Sequence, residues 1–193
     1  MRSVCFGDSF VRGFGVKADE NWVFLLNTPC STFINHGICG DTTGGMLARF
    51  GCDVVPEKPN YLCLLGGLND LLAGSPETTV QANYFAMVHQ ALHHGMIPVI
   101  CTCPPFDPNA ARRCWPELTS FELIKRRYET LRDWLLSFCR SYKLAYVDFY
   151  GEFAKVLSRN PEKDWYLDGI HPTAEGHQVM RDIAVDALRQ LSL

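Results

Sequence analysis

Five short apolar-rich runs punctuate this chain, at Ser3–Phe6, Thr32–Asn35, Asn60–Leu65, Ile97–Thr102 and Leu144–Asp148. Such runs read as strands buried on both faces of a parallel sheet. Helical patterns lie between them. The clearest is Thr119–Tyr142, where Phe121, Ile124, Tyr128, Leu131, Leu135, Phe138 and Tyr142 follow at alternating steps of three and four. That stripe predicts a helix docked on the sheet. A second helix is predicted over about Thr78–His93, stopping at Gly95, a good residue for ending a helix. The last is predicted from about Thr173 to Leu191, burying Met180, Ile183, Ala184, Ala187, Leu188 and Leu191. Strand-helix alternation of this kind implies right-handed crossovers and a three-layer α/β/α sandwich around a five-stranded parallel sheet.

At 193 residues the chain fits one domain, expected over 1–193. A domain of this size buries roughly 70% of its unfolded-chain surface and needs no cross-links to hold together. The net charge of −3 has its Lys and Arg scattered. That pattern argues against a nucleic-acid stripe or an anionic-membrane anchor. Nine cysteines cannot all pair within the chain. Cys5, Cys39, Cys63 and Cys101 fall in or beside predicted strands, where a reduced thiol serves as a small hydrophobe. Many thiols with no disulfide framework favour a reducing compartment. Cys101 and Cys103 lack a second pair at zinc-finger spacing. Only Met1-Arg2-Ser3 precedes the first strand, with no apolar signal region, and no apolar run approaches membrane-spanning length. A cytoplasmic protein is the expectation.

Ligands in open parallel sheets bind at the carboxyl ends of the strands, and the chemistry-bearing motifs all fall there. Strand 1 runs into Gly7-Asp8-Ser9-Phe10, and the loop after strand 2 holds Gly37-Ile38-Cys39-Gly40-Asp41. The loop after strand 3 holds Gly66-Gly67-Leu68-Asn69-Asp70. Past strand 5 and a short helix comes Asp168-Gly169-Ile170-His171-Pro172. Ser9 is a weak nucleophile until a base takes its proton. His171 is the natural base, and Asp168 is placed to accept its other ring N–H. Pro172 biases His171 toward extended backbone and is expected to help start the final helix. An oxyanion formed by attack on a carbonyl needs fixed donors. The backbone amides of Ser9 and Gly40 and the side-chain amide of Asn69 are the candidates for this oxyanion hole, with Asp70 one possible partner to orient Asn69. The chain order Ser…Asp…His matches that of α/β-hydrolases, but Gly7-Asp8-Ser9-Phe10-Val11 is not their Gly-x-Ser-x-Gly elbow.

These four blocks, in this order and across nearly the whole chain, resemble the SGNH/GDSL hydrolase family of esterases and lipases. The resemblance makes Ser9, Gly40, Asn69 and His171 the name-giving residues, with Asp168 completing a triad. It implies a flavodoxin-like strand order, 2-1-3-4-5, which five strands also suit. It further implies hydrolysis of small acyl esters, thioesters or acetylated sugars, with no cofactor and no metal. A carbohydrate O-acetylesterase or acyltransferase on the same fold is the alternative. A non-catalytic binding protein would show a lost serine, histidine or oxyanion donor, and none is lost. The partner expected is therefore a small-molecule substrate, with no nucleic acid and no membrane span.

Other residues carry blander readings. His89 and His93 share a helix face, but no Glu follows His89 in the zinc-protease pattern, and a solvated helix end is the plainer account. His36 lies close enough to Gly40 in sequence to line a pocket, and His177 is expected on the last helix outside the site. Asp8 is expected to bond within its own turn. Asp41 or Thr42 is expected to cap the next helix. The stretch Cys103–Pro116, with four prolines, reads as an irregular loop bordering the site. Its Phe106, Arg112, Arg113 and Trp115 face either substrate or the loop's own cluster. Trp165 and Tyr166 either pack under the Asp168 loop or wall a pocket.

Overall fold

A computed structural model describes residues 1–118 and 120–190. Its five strands are β1 (Arg2–Gly7), β2 (Thr32–Gly37), β3 (Tyr61–Leu65), β4 (Ile97–Cys101) and β5 (Ala145–Val147). All pair in parallel, in the order β2-β1-β3-β4-β5. The inner strands β1, β3 and β4 are buried along nearly their whole length. The edge strands β2 and β5 are only partly covered, because each has a neighbour on one side alone. Burial on both faces therefore holds for the inner strands and fails at the edges. In register, Gly7 pairs with both Gly37 and Leu65. The first three strands thus end level, and their following loops emerge side by side.

The helices are α1 (Ser9–Arg12), α2 (Trp22–Leu25), α3 (Thr43–Asp53), α4 (Leu68–Leu72), α5 (Glu77–His93), α6 (Pro108–Cys114), α7 (Phe121–Tyr142), α8 (Phe149–Arg159) and α9 (Ala174–Gln190). Helices cover both faces of the sheet, with α3, α5 and α7 packed as one group and α2, α8 and α9 as another. Predicted bounds hold to within about two residues for the three long helices. Thr119 and Leu191 lie outside the described residues. Of the α7 stripe, Phe121 through Phe138 are buried, whereas Tyr142 is 46% exposed. It sits in the last turn and packs against Phe85 and Phe138, with ring centroids 5.8 and 4.8 Å away. On α9, Met180, Ala184 and Leu188 are buried, while Ile183 and Ala187 lie partly covered against the same core.

Two readings need correction. Cys5, Cys63 and Cys101 are buried core thiols, but Cys39 is exposed in the turn after β2 and fills no core. Cys103–Pro116 is not irregular throughout, because it contains α6. Asp107 caps that helix by accepting from the N–H groups of Asn109 (2.8 Å) and Ala110 (3.1 Å). Pro108 sits at its first position, where a missing N–H costs nothing.

Candidate active site

The turn that carries Ser9 begins at a glycine with no room for a side chain. A Cβ on Gly7 would lie 2.1 Å from the Leu65 carbonyl oxygen, so the strand-to-helix corner requires glycine. Asp8 then caps α1, its Oδ1 accepting from Phe10 N–H at 3.0 Å. One helical turn later Gly13, at φ 79°, closes the turn with its N–H on Ser9 O. So short a helix is marginal by itself. Its carbonyls are taken by side chains from elsewhere. Trp22 Nε1 donates to Phe10 O (2.9 Å), and both Asn21 Nδ2 (3.0 Å) and Asn35 Nδ2 (2.6 Å) donate to Val11 O.

The predicted residues from the two ends of the chain meet. His171 Nε2 lies 2.9 Å from Ser9 Oγ, across 162 residues of sequence, and His171 Nδ1 lies 2.7 Å from Asp168 Oδ2. With the ring proton on Nδ1 donating to Asp168, Nε2 is left to accept from the Ser9 hydroxyl. Asp168 Oδ1 accepts from the backbone N–H groups of Ile170 (3.0 Å) and His171 (2.8 Å), which folds the loop around its own carboxylate. Burial pushes this carboxyl upward. The His171 ring, the two backbone N–H groups and the imidazole's charge outweigh it and hold the pKa at about 2.

Other contacts seat this loop. Gly169, at φ 85°, has α6 so close that a Cβ would lie 2.2 Å from Ala111 N. Asp107 N–H donates to Gly169 O at 2.8 Å, and Tyr166 Oη donates to Pro105 O at 2.5 Å. Trp115 Nε1 donates to Asp168 Oδ2 at 3.2 Å, so this tryptophan touches the acid of the pair. Trp165 packs edge-on against Phe153 under the loop. Pro172 does not begin α9. It pairs with Tyr166 in a bridge, and Thr173 Oγ1 accepts from Gly176 N–H at the helix start. A residue the sequence reading passed over, Phe14, lays its ring on His171 with centroids 4.3 Å apart while remaining 38% exposed.

The candidate oxyanion donors sit on the neighbouring strand ends. Ile38 N–H donates to Gly7 O (3.0 Å), which holds the turn after β2 against the end of β1. Gly40 has φ 77°, and no atom lies within 4 Å of where its Cβ would stand. Among the described residues, neither the Ser9 nor the Gly40 N–H has an acceptor within the protein. Asn69 stands on α4, one helical turn rather than a loop. One hydrogen of its Nδ2 goes to Asp41 O at 2.9 Å, leaving the other free. Asp70 does not orient it. Its carboxylate takes the N–H and hydroxyl of Thr43 at the start of α3. Thr42, rather than Asp41, caps α3.

His36 points to Glu57 (3.3 Å). His89 stacks on Phe85 with centroids 4.3 Å apart. His177 lies on α9 and is buried, accepting from Trp22 N–H, and burial with the nearby His171 charge lowers its pKa to about 4. Phe106 is buried against Phe121, and Arg112 and Arg113 are exposed. A groove of about 760 Å³ lies beside Asp168, lined by Asn109, Arg113, Asn160, Asp164, Asp168 and Gly169 among others.

Asp8 keeps its expected turn role but is fully buried, and its Oδ2 has no hydrogen-bond partner. Burial pushes its pKa up, the Phe10 N–H works against this, and Asp41 and Asp70 push it further, to about 7. The folded pKa thus lies above the unfolded value, so protonation favours the fold. That contribution is whole below about pH 4 and is lost as pH rises through about 7. Asp8→Asn is expected to flatten the fall in thermal stability between about pH 4 and 7. The wild-type loss is up to about 1.4 kcal/mol per pH unit, roughly 3–5 °C in Tm. Calorimetry showing parallel Tm–pH curves for the two proteins would refute this.

A model of the GDSL-like Lipase/Acylhydrolase family matches residues 5–179. The chain is similar to the uncharacterized lipoprotein YqeF of Bacillus subtilis, 34% identical over 116 residues, covering 53% of this chain and 48% of that one. It is also similar to the esterase TesA of Pseudomonas aeruginosa, 32% identical over 95 residues, covering 46% and 47%. The chain spans about half the length of the curated relatives it matches. Among solved structures, a member of the lipolytic protein G-D-S-L family from Veillonella parvula superposes with a TM-score of 0.79 at 19% identity, covering 96% and 97%. That likeness is one of fold. The chain belongs to the GDSL-like lipase/acylhydrolase family.

Proposed function

We propose that the protein is a serine esterase that cleaves small carboxylic esters, and thioesters by the same route, through an acyl-serine intermediate. The observation that carries this reading is the hydrogen-bonded series Asp168–His171–Ser9, at 2.7 and 2.9 Å. His171 Nε2 takes the Ser9 proton as Oγ attacks the ester carbonyl. The N–H groups of Ser9 and Gly40 and the free Asn69 amide hydrogen receive the oxyanion. His171 returns the proton to the leaving alcohol, and the acyl group stays on Ser9. Water then attacks with His171 again as base, releasing the acid. Asp168 keeps the ring in the working tautomer and stabilises its charged form throughout.

A second reading keeps the same Asp168–His171–Ser9 series and takes an acetylated sugar, whose hydroxyl-bearing part leaves as the alcohol that His171 protonates. The test is a panel of p-nitrophenyl esters of increasing chain length run beside acetylated sugars, with a fluorophosphonate probe to label the nucleophile. The esterase reading expects turnover of short acyl esters and labelling confined to Ser9. Acetate release from sugars alone would favour the second reading. A folded protein that leaves Ser9 unlabelled and hydrolyses nothing in the panel would end both.

A further inference from the structure

Arg49 looks from sequence like one more scattered cation on α3. In the fold its guanidinium reaches four groups at once. Nε donates to Asp41 Oδ2 (2.8 Å), Nη1 to Asp53 Oδ2 (2.8 Å), and Nη2 to the carbonyls of Gly7 and His36 (3.0 Å each). Its flat face lies on the Phe6 ring, 4.1 Å from the centroid. The Arg49 and Asp41 side chains are only 15% and 11% exposed. An arginine held this way is a rigid fork that a lysine cannot imitate.

Asp53 lies one turn further along α3, but the other three acceptors are not an arbitrary set. Gly7 ends the strand that leads to Ser9, and His36 lies near the end of the strand that leads to Gly40. Asp41 directly follows Gly40, its N–H closes the turn on Ile38 O (3.2 Å), and its carbonyl takes the Asn69 amide. Gly40 itself is exposed, with open space above it, so nothing packs on that side to fix the turn. We infer that Arg49, acting through the Asp41 carboxylate, is a positioning residue for all three oxyanion donors. It ties the Ser9 strand to the Gly40 turn and, through Asp41 O, sets the direction of the Asn69 amide. Because this rests on the esterase reading, wild-type turnover and Ser9 labelling must be established first. Their absence would undo the reading, whereas the results below concern Arg49 alone.

The experiment measures kcat and KM for p-nitrophenyl acetate in Arg49→Met, Asp41→Asn, Asn69→Ala and the Arg49→Met/Asn69→Ala double variant, with Tm for each. Misplaced donors weaken transition-state contacts more than ground-state binding. Arg49→Met is expected to lower kcat by about 10- to 100-fold with KM changed less than about threefold. Asn69→Ala is expected to lower kcat by about 10²–10³. In the double variant the Arg49 effect should shrink well below its single-variant size, since one of the donors it aims is gone. Asp41→Asn cuts only the charged link and serves if Arg49→Met fails to fold. It is expected to show the same kcat-weighted loss, about tenfold. A folded Arg49→Met, or Asp41→Asn in its place, with kcat within twofold of wild type would overturn the proposal. So would losses at Arg49 and Asn69 that simply multiply, for then Arg49 does not aim the Asn69 amide and the claim on all three donors fails.

Discussion

Replacing Ser9 with alanine is expected to lower esterase turnover by about 10⁴–10⁶-fold while leaving the fold nearly as stable as before. Ser9 is 5% exposed and its hydroxyl meets His171 Nε2, so its loss removes the proposed attacking oxygen and little packing. The backbone that shapes the turn is held by Asp8, Asn21, Trp22 and Asn35, none of which touches Oγ. The residual rate reports what the oxyanion donors and substrate binding achieve without a nucleophile. Steady-state kinetics on p-nitrophenyl acetate, with a melting curve from the same preparation, checks both halves. A folded variant that keeps near-normal turnover would remove Ser9 from the chemistry altogether.

Asp168→Asn is expected to cost about 10⁴-fold in kcat, with Ser9 labelling slowed in parallel. An asparagine can keep the turn, because its carbonyl oxygen can still accept from the Ile170 and His171 N–H groups as Oδ1 does now. The amide NH₂ then faces His171 Nδ1 and Trp115 Nε1. A donor there drives the ring proton to Nε2, where it meets the Ser9 hydroxyl instead of accepting from it. The variant separates tautomer control from loop shape, since the shape survives and the proton moves. The wild-type carboxyl is held at about 2, so its stabilising effect is complete above the ordinary value near 4 and is lost as pH falls from there through about 2. Asp168→Asn should erase that acid-side component. Turnover within tenfold of wild type would argue that Asp168 serves the loop and not the base.

Much of this architecture can be read from local pattern, and the exceptions share a cause. The inner strands show as apolar runs because both of their faces are covered. Ser9, Gly40, Asp168 and His171 show because a parallel sheet collects its loops at one edge. Asn69 was legible as a donor, but its partner was not. The neighbour in sequence, Asp70, turned out to hold Thr43, while the neighbour in space was the carbonyl of Asp41. Arg49 was invisible for the same reason, since its acceptors come from three separate segments. Helix α6 was a different kind of miss. Asp107-Pro108 is a local start signal, and the weight given to the prolines hid it. The depth of Asp8 could not be read locally, because a capping aspartate is usually wetted and only the packed sheet shows that this one is not.

Ser9 opens α1 directly after β1, a strand flanked by β2 and β3 inside the sheet. Its histidine hangs from a late loop moored by hydrogen bonds to Pro105, Asp107 and Trp115 and by packing on α6 and Phe153. Unequal anchoring of this kind means that warming or mild denaturant should work the base loose first. Catalysis would then fade while the sheet is still intact, and return as soon as that loop reseats.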